Sequence, residues 1–185
     1  MAKLLSALPV GSVVKSTNTK YNGKVIRWIV GTQDTANGRT GLVAEKMITL
    51  KCFDAKESSN PNSSRQSYGN NRYSQSNIDQ WLNSQGAAWY SARHSYDAPP
   101  NNANVWSNYN EYDTESGFLS NFEADFRKAI LDAVIRVAKN TVTDGGGYED
   151  ITRKVFLLSN TEVGLSNENS VAEGTLWSYL SLIHI

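Results

Sequence analysis

Ser76–Ser84 reads Ser-Asn-Ile-Asp-Gln-Trp-Leu-Asn-Ser, and these nine residues restrict the fold more than any other stretch of the chain. Ser76 is a good N-cap. Asp79, three residues on, supplies an acidic variant of the capping box near the positive end of the helix dipole. Ile78, Trp81 and Leu82 stand at i, i+3 and i+4, so one face of the helix is apolar. Asn83-Ser84 and then Gly86 end it. The spacing predicts a short helix with Trp81 pointing inward, a core anchor that positions the loops on either side.

Strand signals lie mostly before this helix. Leu8–Val14 reads as a lead-in followed by a strand. Tyr21-Asn22-Gly23-Lys24 carries an Asn-Gly pair, the strongest short hairpin signal. Lys24–Thr32 is β-branched and aromatic, so it predicts a strand with Ile26, Trp28 and Val30 on the core face. Leu42–Phe53 predicts another strand, kinked near Glu45-Lys46. Ser58–Ser64 is polar and reads as a flexible surface loop. Ala87–Tyr90 adds a short helical turn. Ser120–Glu123 opens the best helix, with Phe122, Phe126, Ala129 and Ile130 on one face. From Ala133 the β-branched residues favour a strand, although the apolar spacing also permits a continuous helix to Ala138. Asp144–Gly147 is a turn, and Lys154–Ser159 predicts a buried strand. Gly174–Leu180 begins like a helix.

Charge narrows the partners. Lys plus Arg and Asp plus Glu number 18 each, so the formal net charge is zero. That removes the electrostatic case for nucleic acid or an anionic membrane surface. No stretch approaches the roughly 20 apolar residues of a membrane-spanning helix, so no membrane insertion is expected, and the chain reads as soluble and as one domain over residues 1–185. The one cysteine, Cys52, leaves no intrachain disulfide and no cysteine-pair zinc site. It reads as a small buried residue on a strand. The apolar end Ser181–Ile185 predicts burial, pairing with a second copy of the chain, or the stump of a longer segment.

Catalytic constellations are sparse. The two histidines are His94, in an irregular loop, and His184, beside the carboxyl terminus. Neither stands in a triad context, and no Gly-x-Ser-x-Gly occurs. Gly145–Gly147 lacks the Walker lysine and the dinucleotide spacing. Paired carboxylates for glycoside hydrolysis could be drawn from Asp54, Glu57, Asp97, Glu111, Asp113, Glu115, Glu162 and Glu168, but no spacing singles out a pair. Asn160, Glu162, Asn167 and Glu168, with Asn169, gather hard oxygen donors for calcium, the one metal or cofactor the sequence suggests. The most informative feature is aromatic. Tyr68, Tyr73, Trp89, Tyr90, Trp106, Tyr109 and Tyr112, with Tyr96, alternate with Asn, Ser and Gly. These are the materials of binding loops and of sugar recognition, and also of loops pinned onto a core.

Four phrases occur in a telling order: Leu8-Pro9-Val10-Gly11, Ile26-Arg27-Trp28-Ile29-Val30, Tyr73–Asn83 and Lys154–Ser159. Together they resemble the domain-of-unknown-function family numbered 6273, whose members occur in Gram-positive gut bacteria and their prophages. The family's later segments resemble the C-type-lectin-like fold shared with formylglycine-generating enzymes and phage receptor-binding proteins. The resemblance implies an α+β fold with two helices on mixed, twisted sheets and long loops. It also implies a cell-surface or phage-virion setting. Family members continue beyond the Leu176-Trp177 region with phrases that this chain lacks, so the resemblance implies a version of the fold missing its carboxyl-terminal part. The paired active-site cysteines of the formylglycine enzymes have no counterpart beside Cys52, and no catalytic residue carries over. The expected function is a non-enzymatic binding module for a glycan or a surface protein. A carbohydrate-active enzyme using paired carboxylates and a purely structural assembly domain are the alternatives.

Overall fold

A computed structural model describes residues 4–105, 111–166 and 170–181. The chain adopts an α+β fold divided into two compact units: one comprises residues 1–48 and 158–185, the other residues 49–157.

The first unit is built on a three-stranded antiparallel sheet, β1 (Val13–Tyr21), β2 (Lys24–Asp34) and β3 (Arg39–Ala44). Tyr21 pairs with Lys24 across the predicted turn, where Asn22 and Gly23 both take positive φ, as a two-residue turn matched to strand twist requires. Ile26 and Val30 are buried and Trp28 half-buried, so the expected core face is real. Its Trp28 indole donates to Thr19 Oγ1 at 3.1 Å. Ile29, which strand alternation puts on the opposite face, is buried as well. The reason lies two residues on, at Gly31. The Trp177 ring rests against this glycine and against Gly41 so closely that a Cβ at Gly31 would overlap it. The short helix α4 (Ser178–Ser181) follows Trp177 and packs on β2.

The expected strand over Leu42–Phe53 stops at Ala44, just before the Glu45-Lys46 kink. Residues 47–52 form no ladder, and Cys52 is half-buried in coil rather than on a strand.

The second unit is organised around α2 (Asn77–Leu82). Ser76 caps it, its hydroxyl accepting from the Asp79 N–H at 3.3 Å. One face was expected to be apolar and buried. In fact all six residues are buried, because the polar ones are also consumed inside. Asp79 takes both Arg153 donors at 2.6 Å, and Gln80 accepts from the Ser91 N–H. Burial pushes the Asp79 carboxyl up, against the opposing pull of Arg153. Trp81 is 2 % exposed. Its ring meets Tyr112 edge-on at 5.6 Å and Phe118 at 5.2 Å, and its indole donates to the Ser116 carbonyl. Lys51 closes the cluster, with its ammonium 5.5 Å from the Trp81 ring, 5.4 Å from Tyr112 and paired with Glu115.

Two further helices flank this core. Ser58–Ser64 is not wholly a loop: Asn62 accepts from the Ser64 and Arg65 N–H groups and so starts α1 (Ser63–Tyr68). Ala87–Tyr90 forms no helical turn. Phe118–Asn121 makes a 3-10 turn ahead of α3 (Ala124–Ala129). The chain then changes to β4 (Ala133–Ala138), which settles helix-then-strand over the continuous helix. β4 pairs antiparallel with β5 (Tyr148–Arg153) across the turn containing Gly145–Gly147. Arg72 grips Glu149 of β5 through two hydrogen bonds of 2.8 and 2.7 Å, and Arg65 reaches Asp144 at 3.3 Å.

Lys154–Ser159 also departs from the expected buried strand. Among the described residues it pairs with no strand, and it is only partly buried. The Asn83 side chain takes the place of a neighbouring strand. Its Oδ1 accepts from the Lys154 and Val155 N–H groups, and its Nδ2 donates to the Val155 carbonyl at 2.9 Å. The Leu157 N–H finds the Tyr73 hydroxyl at 3.3 Å.

Candidate functional site

Asn77, at the start of α2, draws three segments together. Its N–H donates to Asp54 Oδ1 at 2.9 Å, its Oδ1 accepts from the Ala55 N–H at 2.9 Å, and its Nδ2 donates to Asp97 Oδ1 at 3.3 Å. The segment Asp54–Glu57 is thereby pulled under the helix. Glu57 is fixed to α1, its N–H donating to the Arg65 carbonyl at 3.2 Å, and Lys56 N–H donates to the Asn104 carbonyl. Gly69 closes over the top with φ of 77°, where a Cβ would overlap the Ala55 carbonyl and crowd Asp54 Oδ2.

The result is a buried carboxylate pair beside a histidine. Asp54, Glu57 and His94 each bring one donor atom within 4.8 Å of the other two. The Glu57 side chain is 0 % exposed and that of His94 10 %, with Glu57 Oε1 and His94 Nε2 3.7 Å apart. Asp54 Oδ2 accepts the Asn70 N–H at 2.7 Å, besides the Asn77 bond to Oδ1. Burial pushes the Asp54 carboxyl up to about 7, although both backbone N–H groups pull the other way. Glu57 Oε2 accepts from the Asn60 amide. His94 Nδ1 lies 3.0 Å from the Ser95 carbonyl, so that nitrogen carries the proton in the neutral ring. Among the described residues, these three side chains could hold a metal ion. Nothing in their spacing along the chain announces them. The carboxylate inventory of the sequence contained Asp54 and Glu57 but could not pair them, because Asn77, Arg65 and Gly69 do the pairing.

The aromatic candidates separate into two groups. Trp89 and Tyr112 stack in the interior at 5.3 Å and 8°, so they support a surface and do not form one. Tyr112 donates to the Cys52 carbonyl. Tyr73 and Tyr90 are half-buried, and burial pushes the Tyr90 hydroxyl up to about 12. Tyr68 is 71 % and Tyr96 51 % exposed. Tyr96 holds φ of 70°, a conformation that few non-glycine residues take. Both stand on segments that converge on Glu57, Tyr68 on α1 and Tyr96 beside His94. Trp106 and Tyr109 lie outside the described residues.

The calcium candidates do not converge among the described residues. Asn160 is exposed. Glu162 spends one oxygen on the Ser159 N–H and the other on the Trp177 indole, at 2.9 and 3.0 Å. Asn167 and Glu168 lie outside the described residues, as do His184 and the apolar end Leu182–Ile185. Burial pushes the Cys52 thiol up to about 11, which leaves it protonated and poorly nucleophilic at neutral pH. No helix of the described residues is long and apolar enough to cross a membrane.

A sequence model for the family described as "Domain of unknown function (DUF6273)" matches residues 37–182, most of the chain. No curated protein and no solved structure matches it.

Proposed function

The chain belongs to the DUF6273 family of domains of unknown function, and from that footing we propose that it is a non-enzymatic binding module whose ligand is a glycan or a surface protein. The lectin-like character and the bacterial-surface or phage-tail setting implied by the sequence resemblance are part of this proposal. The observation that carries it is the way the loops of residues 54–104 are fixed. Asparagine side chains at 60, 62, 70, 77, 101 and 104 each hydrogen-bond main-chain groups of these loops. Such loops are ordered before a ligand arrives, so binding loses little further conformational entropy. They carry Tyr68 and Tyr96 outward, and a tyrosine offers rigid amphipathic area to a sugar face or a peptide. A glycosidase reading has less support. A glycosidic oxygen would have to reach the Asp54–Glu57 pair, whose Glu57 side chain has no exposed surface.

The test is a glycan array followed by a fluorescence titration of each hit. Tyr68→Ala and Tyr96→Asn should weaken binding at least tenfold while leaving the melting temperature close to wild type. Asn suits the second site because it tolerates positive φ. An empty array, together with no capture by cell-wall or surface-protein preparations, would count against the proposal.

A further inference from the structure

We infer that Asp54, Glu57 and His94 form a binding site for a divalent transition metal of the zinc class. The inference does not rest on the ligand surface proposed above, although Tyr68 and Tyr96 stand on segments that converge on Glu57. Two atoms point to it. Glu57 Oε1 and His94 Nε2 are buried and make no hydrogen bond to any described residue. They face each other across 3.7 Å, beyond the 2.7–3.2 Å or so of an N–H···O bond. Zinc bonds of about 2.0–2.2 Å to each would span that gap at an angle of roughly 125°, near tetrahedral.

The surrounding residues prepare each ligand. The Nδ1–H of His94 is directed to the Ser95 carbonyl, which turns the Nε2 lone pair inward. The Asn60 amide holds Glu57 Oε2 and leaves Oε1 facing the site. Two main-chain N–H groups hold Asp54 and leave it lone pairs to spare. This is the outer-shell pattern that orients metal ligands. Charge agrees: among the described residues Glu57 has no ion-pair partner besides His94, and Asp54 has none. Once deprotonated, two buried carboxylates would be balanced by a dication. The nitrogen ligand and the small ligand number favour zinc-class ions over calcium, which takes six to eight oxygens.

The whole chain, stripped with chelator and dialysed, should be titrated calorimetrically with Zn²⁺. One equivalent is expected to bind and to raise the melting temperature. With Co²⁺ in its place, the visible bands of a four-coordinate site should appear. Glu57→Gln and His94→Gln should abolish binding, and Asn60→Ala, which removes only the orienting amide, should weaken it roughly 10–100-fold. Wild-type protein supplies a readout that no folding defect can confound: Zn²⁺ should shift the His94 Nε2 resonance in a ¹⁵N imidazole spectrum. Absence of binding, or binding that leaves that resonance unmoved, overturns the inference.

Discussion

Trp81 shows how much one residue settles in this chain. Its ring touches Tyr112 and Phe118, it underlies the Lys51 ammonium, and its indole N–H reaches the Ser116 carbonyl. Removing it deletes a large buried surface and leaves that carbonyl without its indole donor. Trp81→Ala should therefore cost about 3–5 kcal/mol. Denaturant unfolding of the variant checks this, and a loss below about 1 kcal/mol would mean the site repacks. The inward Trp81 was readable from Ile78, Trp81 and Leu82 alone. The burial of Asn77, Asp79 and Gln80 was not. Their partners Asp54, Asp97, Arg153 and Ser91 lie at sequence distances that local periodicity cannot see. The Asp54–Glu57–His94 cluster was hidden for the same reason, since Asn77, Arg65 and Gly69 place its two carboxylates from outside the segment that carries them.

At the scale of elements, legibility followed how local the stabilising contact is. The Asn22-Gly23 turn and the Ser76 cap act within three residues, and both were evident from the sequence. The passage from α3 to β4 was favoured by β-branching alone. Helix α1 was hidden inside a serine-rich run because its start depends on a single side chain, Asn62. Lys154–Ser159 has the composition of a buried strand, but hydrophobic and β-branched content cannot supply a neighbour to pair with. Asn83 supplies that neighbour from the end of α2. Asn83→Ala should leave two N–H groups and a carbonyl of residues 154–155 to water, at about 0.5–1.5 kcal/mol. Hydrogen exchange checks it: the Lys154 and Val155 amides should exchange faster, while those inside β5 keep their protection.

For the molecule as a whole, Glu149 should contribute to acid sensitivity. Its hydrogen bonds from Arg72, with that of Ser74, hold the carboxyl below its ordinary value of 4.5. A folded-state value below the unfolded one means that the unfolded chain binds the proton first. The stabilisation is complete above pH 4.5 and is lost as pH falls through the lower folded value. Glu149→Gln should consequently be less stable at neutral pH and show a shallower decline of melting temperature below pH 4.5; parallel curves for the two proteins would remove Glu149 from the account.

The division of the chain also sets an order of events during synthesis. Residues 49–157 are contiguous, so that unit has all its parts once β5 has left the ribosome. The other unit is interrupted: its sheet is made before residues 49–157, yet Trp177, which lies on Gly31 and Gly41, is made after them. Domains fold as units as they emerge. Here the sheet must therefore wait with one apolar face uncovered while residues 49–157 are made and fold, and that face stays open to unwanted pairing for as long as the intervening unit takes to appear.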